Sequence, residues 1–393
     1  MQLRKQTRNR GIYYLYLAYE TTADGKIVNS GCIRLAESIA PQQEGTVIIP
    51  ANIPERGKCF LKVKYLLKSG NGLQETDSLL GFDEIPLQNE DGRNQNAVML
   101  METGLVGGFI KVTESDRYLE MENNVFHYVF NKLTGLFENM SAAGENILDR
   151  PMELNIWRAP TDNDMYIKAE WKKAHYDKAY TRAYTTEVVQ GKHGVKIVSH
   201  ASVVAETVQK ILDVKITWTI DASGKIDADI EATKDGEFPD LPRFGVRMFL
   251  DKKLSDARYF GMGPQESYRD KHQAASHGLY RANVRDLHED YIRPQENGSH
   301  YDCGYVELNN SRYGIAAFSE STFSFNASYY TQEELEKKTH NYELAESDSV
   351  VLCVDYALNG IGSNSCGPVV LDQYRFNDVL FRFQFTLVPY VKG

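Results

Sequence analysis

Long apolar runs are missing from this sequence. None approaches the roughly 18 residues needed to cross a bilayer as a helix, so no membrane partner is expected. Positive charge is scarce: 44 Lys and Arg stand against 54 Asp and Glu. The formal charge of -10 argues against nucleic acid and anionic membrane surfaces as partners. Cysteine is confined to Cys32, Cys59, Cys303, Cys353 and Cys366, an odd count without a C-x-x-C pair. That pattern points away from a disulfide framework or zinc site and toward reduced thiols in a cytoplasm. The first ten residues are basic but no apolar core follows, so they do not read as a secretory signal. A cytoplasmic location is expected, with a signal upstream in a longer product left open. There is no P-loop and no H-E-x-x-H motif. The Gly261/Gly263 and Gly360/Gly362 pairs lack the third glycine and the βαβ context of a dinucleotide site.

What is present is strand after short strand. The 24 tyrosines suit sheets with half-wet faces and also surfaces that meet carbohydrate. Residues 11–35 read as a hairpin about Ala23-Asp24-Gly25-Lys26. Strands are expected over 45–50, 59–67 and 76–84, which gives residues 1–90 the size of an immunoglobulin-like sandwich. Residues 88–97 are polar and read as the clearest linker, overlapping a connecting stretch of 91–114. From 115 to 393 the pattern is again β, with strands over 195–205, 214–220, 226–232, 306–318, 350–355 and 379–388. Residues 167–179 and 331–338 read as helices, the second with a Thr331/Glu334 capping box. The fold class expected is all-β, a small sandwich followed by a large antiparallel sandwich. No internal repeat or low-complexity tract interrupts it.

Chemistry concentrates in four loops. The first is Leu154-Asn-Ile-Trp-Arg-Ala-Pro-Thr-Asp-Asn-Asp-Met-Tyr166. Pro160 keeps it out of a strand interior, and Asp162, Asn163 and Asp164 turn the chain through their own side chains. Trp157 offers a flat apolar face, while Arg158, Asp162, Asn163 and Asp164 offer directional hydrogen bonds of the kind a sugar needs. The other loops run over 261–270, followed by Lys271 and His272, then 293–300 and 359–368. Gathered on one face, the four would form a polar cleft. Each alone is an ordinary turn. Glu266 and Glu296 are conceivable as a glycosidase carboxylate pair, and His272 with either as an acid–base pair for sugar-ring opening. A salt bridge or turn contact is the commoner fate of such residues. Asp162 and Asp164 could hold a hard cation, although one short acidic loop rarely fills six sites. Cys366 has no His within 20 residues and reads as a packed thiol.

Several blocks then fit one family together. Trp157-Arg-Ala-Pro-Thr-Asp-Asn-Asp164 with Trp171-Lys-Lys-Ala, Gly261-Met-Gly-Pro-Gln-Glu-Ser-Tyr268, Pro294-Gln-Glu-Asn-Gly298 and Phe325-Asn-Ala-Ser-Tyr-Tyr-Thr-Gln-Glu-Glu-Leu335 resemble the C-terminal domain of bacterial β-galactosidases of glycoside hydrolase family 2. So does the run from Gly360-Ile-Gly362 to Pro368. The resemblance covers residues 115–393 in family order, and residues 1–90 resemble the immunoglobulin-like domain before it. It implies a large supersandwich of the galactose-mutarotase type. It also implies that the catalytic glutamates, with the magnesium and sodium of the intact enzyme, lie in an upstream TIM barrel for which this sequence has no alternating βα pattern. No catalytic residue, metal or cofactor is then expected in this chain. Its expected partners are that barrel, in cis or as a large subunit, and the galactoside substrate; assembly into a homo-oligomer stays open.

In the family the final domain brings a loop to the sugar pocket, in some members with a Trp just before the last proline. Here Cys366 takes that place, so the polar residues Asn359, Ser363, Asn364 and Ser365 are the contacts that remain. The pocket-wall candidates are Trp157, Arg158, Asp162, Asn163, Asp164, Asn364 and Cys366, with Glu266 and Glu296 behind them. The function implied is the non-catalytic C-terminal part of an enzyme hydrolysing terminal β-D-galactosides such as lactose, shaping its pocket and assembly. The alternatives are a stand-alone mutarotase or epimerase, and a galactoside-binding module.

Overall fold

The computed structural model describes residues 2–4, 14–35, 39–40, 43–102, 105–192 and 194–392. The chain divides into two compact units, Met1–Val98 with His277–Leu279, and Met99–Ser276 with Tyr280–Gly393.

The first unit is an antiparallel β-structure. Leu15–Ala23 and Lys26–Ile33 form the expected hairpin, although residues 11–13 of that reading lie outside the described residues. Asp24 and Gly25 both take positive φ, 49° and 79°, as a two-residue turn between right-twisted strands requires. Asp24 tolerates this conformation because its carboxylate accepts the amides of Lys58 (2.9 Å) and Gln95 (3.1 Å). The main sheet runs Lys26–Ile33, Leu15–Ala23, Cys59–Leu67, Leu79–Leu87, and a second pair joins Gln2–Arg4 to Glu44–Thr46. Alternate residues of Cys59–Leu67 turn inward, and Leu17, Tyr19, Val47, Leu61 and Val63 form the core.

The expected linker is partly structured. Gln95–Glu102 is a helix and Lys111–Glu114 a strand. Asn94 starts the helix by accepting the amides of Asn96 and Ala97 at 3.0 and 3.2 Å.

In the second unit hydrogen bonding runs through a 16-stranded antiparallel sheet folded onto itself. One layer contains Tyr180–Gln190, Gly194–Ala205, Val208–Asp221, Ile226–Lys234 and Leu380–Val391. The other contains Ser349–Leu358, Arg243–Asp251, Glu145–Asn155 and the strands from Leu136–Ala142 back to Lys111–Glu114. Tyr313–Ser328 belongs to both. Its first part pairs with Leu380–Val391 (Phe318 opposite Thr386), and its last part with Ser349–Leu358 (Ser324 opposite Asp355). The layers face each other through aromatic rings. Trp218 meets Phe137 edge-on at a centroid distance of 5.1 Å, and Phe244 meets Phe381 at 4.9 Å. The architecture is therefore the all-β pair expected, a small sandwich followed by a large antiparallel supersandwich.

Both expected helices form, in shortened versions. The first, Ile167–Lys173, stops before His175, whose φ of 57° reverses the chain into a 3-10 turn at Tyr176–Lys178. The second, Gln332–Lys337, is capped by Thr331, which accepts the Glu334 amide at 3.1 Å. The reciprocal half of the capping box is absent, because Glu334 instead accepts the Ala345 amide.

Trp218 is fully buried and its Nε1 donates to the Gly135 carbonyl at 3.0 Å. Trp218→Phe keeps most of the apolar contact and orphans that carbonyl. We expect a loss of about 1–3 kcal/mol in urea unfolding, against about 3–5 kcal/mol for Trp218→Ala.

Candidate functional site

The four polar loops meet. The meeting point is built from the end of Glu145–Asn155, where Asn155 accepts the Trp157 amide at 3.0 Å and turns the chain out of the sheet. Arg158 then points inward and is fully buried. Its Nε and Nη2 donate to both oxygens of Asp164 at 3.1 and 2.7 Å. Nη1 and Nη2 also donate to the carbonyls of Asn359 (2.5 Å) and Gly360 (3.2 Å) in the fourth loop. Only a guanidinium reaches a carboxylate in this two-pronged way and two carbonyls besides. The Trp171 ring lies 5.3 Å from the guanidinium carbon.

Further bonds complete the junction. Asp164 Oδ2 accepts the Thr161 amide and hydroxyl at 2.9 and 3.1 Å, which closes the 3-10 turn Asp162–Asp164. Asn163 donates to the Gly362 carbonyl (2.8 Å) and accepts the Ser365 hydroxyl (2.8 Å). Gln295 of the third loop accepts the Asp162 amide, and the Glu296 amide donates to the Ala159 carbonyl, both at 3.0 Å. The second loop joins through Asp270, which accepts the amides of Ile361 and Gly362 at 3.0 and 2.7 Å. It meets the third where Glu266 accepts the Gly298 amide at 2.9 Å.

Beneath the loops lies a second buried ion cluster. Arg243 donates to Asp355 at 3.1 and 2.5 Å and to Glu296 at 3.2 and 3.4 Å, and all three side chains are buried. Burial pushes the Glu296 carboxyl above its ordinary value, and Arg243 and Arg158 pull the other way. Burial would also raise Glu266, but hydrogen bonds from Lys271 (2.7 Å), Tyr291 (2.5 Å) and the Gly298 amide hold it below its ordinary value.

This geometry sorts the sequence candidates. Trp157, Arg158, Asp164 and Glu296 are buried, and the charged three spend their polar atoms inside the protein. They set the loop framework and do not offer hydrogen bonds to a ligand, which corrects the reading of Arg158 and Asp164 as sugar contacts. Asp162, Asn163, Asn364 and Cys366 keep partial or full exposure at the loop surface. Glu266 and Glu296 are each held by a cation. His272 bonds the Tyr268 carbonyl at 3.0 Å and reaches neither glutamate, so the acid–base pair is not formed. Asp162 and Asp164 do not form a cation site, since Arg158 and Thr161 take the Asp164 oxygens. No group of three or more His, Cys, Asp and Glu is arranged to hold a metal among the described residues.

Sequence reading missed Arg243, Asp355 and Asp270 as parts of this junction. A signal existed for one of them: Asp355 interrupts the otherwise apolar run of Ser349–Leu358, where a charge survives only if paired.

This is an all-β protein whose large supersandwich carries one hydrogen-bonded junction of four polar loops. The sequence matches the family described as Beta galactosidase small chain over residues 122–387, and that described as Beta-galactosidase, domain 4 over residues 11–88. The chain belongs to the β-galactosidase small-chain family. It is 39% identical over 377 residues to a β-galactosidase of Actinobacillus pleuropneumoniae, covering 95% of this chain and 36% of that protein. With a β-galactosidase of Staphylococcus xylosus it shares 33% identity over 326 residues, 83% of this chain and 32% of that one. The chain thus spans about a third of the length of the curated relatives it matches. Among solved structures, a galactose 1-epimerase from Lactobacillus acidophilus NCFM aligns with a TM-score of 0.40 and 9% identity, covering 72% of this chain and 99% of that one.

Two measurements probe the junction. Arg158→Ala leaves the Asp164 carboxylate buried without its cation and should cost about 3–5 kcal/mol in urea unfolding. Arg158→Met combined with Asp164→Leu should recover a good part of that loss, so the two changes should be far from additive. His300 gives a pH signature. It is 1% exposed, and burial pushes its imidazole down to about 4 from 6.5. As pH falls, the unfolded chain therefore takes up the proton first. The stability is whole above pH 6.5 and is lost as the pH falls toward 4, by about 3 kcal/mol. The same titration on His300→Gln should lack this component.

Proposed function

We propose that this chain is the non-catalytic C-terminal portion of a glycoside hydrolase family 2 β-galactosidase. In this reading a catalytic barrel, in the same polypeptide or in a large subunit, hydrolyses terminal β-D-galactosides such as lactose. The four-loop junction is the part presented to it. Arg158, Asp164 and Asp270 fix the loop backbones, and Asp162, Asn163, Asn364 and Cys366 form the wall that faces the sugar pocket. The observation that carries this reading is the match to the small-chain family over residues 122–387 in a chain that spans a third of its full-length relatives. The surface chemistry around the loops agrees with it. Met165, Tyr166, Ile292, Val369 and Leu371 flank the junction in sequence and are 42–80% exposed, an unusual density of large apolar side chains for a surface meant for water.

The test is complementation. The purified chain is mixed with the barrel-bearing portion from the same source, and hydrolysis of o-nitrophenyl β-galactoside is followed. The chain alone should be silent and the mixture active. Asn163→Ala, which releases the fourth loop at Gly362 and Ser365, should raise KM several-fold with a smaller change in kcat. Hydrolysis by the chain alone, or a mixture no more active than the barrel portion, would overturn the reading.

A further inference from the structure

A cavity of about 200 Å³ opens in the large unit beside the four-loop junction, with Tyr268 and Arg269 of the second loop and Leu358, next to the fourth, in its lining. Its origin is topological. One edge of Tyr313–Ser328 pairs with two strands in succession, Leu380–Val391 up to Phe318 and Ser349–Leu358 from Ser324. Between these points the two partner strands part, and the gap is walled by residues 322–324, 356–358 and 378. The far wall is Ser299–Asn309, whose register shifts between His300 and Cys303 and again between Cys303 and Tyr305. That irregular segment carries Tyr301 and Asp302 into the cavity lining. Asp302 takes a φ of 53°, a conformation that side-chain-bearing residues adopt at a cost and that concentrates at ligand sites. Bulged strands are likewise common beside binding sites, where they re-aim a side chain.

The lining has a definite chemistry. Arg269 donates one hydrogen bond, from Nη1 to the Arg375 carbonyl at 3.1 Å. No other hydrogen bond or ion pair engages its guanidinium among the described residues, and it is half-buried. The cavity also holds the carboxylates of Asp302 and Asp378, and the half-buried phenol rings of Tyr301 and Tyr356. The two rings are supported from behind, Tyr301 by His272 at 5.6 Å and Tyr356 by Phe381 at 5.2 Å. The Arg269 guanidinium can donate to vicinal hydroxyls and the Asp378 carboxylate can accept from them, while phenol faces cover the C–H surface of a ring. Asp378 offsets the charge of Arg269, so a phosphate or uronate would find no unopposed cation. The volume is below that of pockets for drug-sized molecules, and it suits a single ring.

We propose that this fork between strands is a binding site for one neutral monosaccharide unit, beside the four-loop junction and lined in part by its second loop. Arg269 and Asp378 clasp its hydroxyls, and Tyr301 and Tyr356 flank the ring. It binds sugar in the isolated chain, with no barrel present.

The experiment titrates the 393-residue chain with galactose and with glucose, following backbone amide shifts and heat release. Saturable binding with a Kd on the order of millimolar is expected for at least one of them, a range in which single sugars gain about 4 kcal/mol. Shifts should centre on residues 301–302, 322–324 and 356–358. Arg269→Ala and Asp378→Asn should each weaken binding about 10-fold or more, with amide spectra otherwise unchanged. Asp378 is exposed, so its variant keeps the fold even if the Arg269 variant does not. Ser365→Ala, in the fourth loop, should bind as the parent does. No saturable shift with either sugar up to about 100 mM, some 25-fold or more above such a Kd, would overturn the proposal. So would binding that ignores Asp378→Asn and is lost with Ser365→Ala. Failure of complementation with the barrel portion leaves these outcomes unchanged, so the two readings fail separately.

Discussion

The loops of this protein depend on one buried guanidinium. Arg158 lies out of reach of water, and every bond it makes is to a group that would otherwise be stranded: a carboxylate in its own loop and two carbonyls from a loop 200 residues away in sequence. A charge in that position is costly unless its geometry is complete. The requirement runs both ways. The Asp162–Asp164 turn must be closed to aim Asp164, and the 359–362 backbone must be held to aim its carbonyls. Asp270 supplies the second condition by taking the amides of Ile361 and Gly362. The loops therefore order together, which is how surface segments that look like separate turns become one rigid feature.

Arg243 extends the same logic below the surface. It joins Asp355, on a central strand, to Glu296, in the third loop, so loop position is tied to strand position. Two positive and three negative side chains share this interior. Burial raises the carboxyls of Glu296 and Asp355, and the arginines oppose it. A cluster of this kind adds little net stability over an apolar one, but it tolerates only one arrangement of the chain.

Much of the architecture was legible in the sequence because its signals are local. The Asp24-Gly25 hairpin, the Asp221 to Gly224 turn and the Asn309-Asn310-Ser311 turn follow from side-chain chemistry within four residues. Asp221 accepts the Ser223 amide and Asn310 accepts the Arg312 amide, as such turns require. The convergence of the four loops was legible only as a condition, suggested by their shared polar and glycine-rich composition. Their bonds join residues from 32 to 202 positions apart, and spacing carries no trace of that. The direction of Arg158 and Asp164 misled for a related reason. Polar residues in a loop suggest exposure, yet this loop folds back over the end of the sheet and buries them. The helix at Gln95 was hidden by its polar start, since Asn94 reads equally as linker and as cap.

The strand Tyr313–Ser328 has a further meaning for how such a protein can be divided between genes. It is shared by both layers, and Leu380–Val391 closes the first layer by pairing with residues 226–233 and 313–318, so that layer is complete only with residues 380–391 in place. A split within the large unit would leave two halves with unpaired strand edges. A split before it severs no strand pairing of the sheet. The large unit is therefore divisible from a neighbouring stretch of chain without loss of strand pairing only as a whole piece.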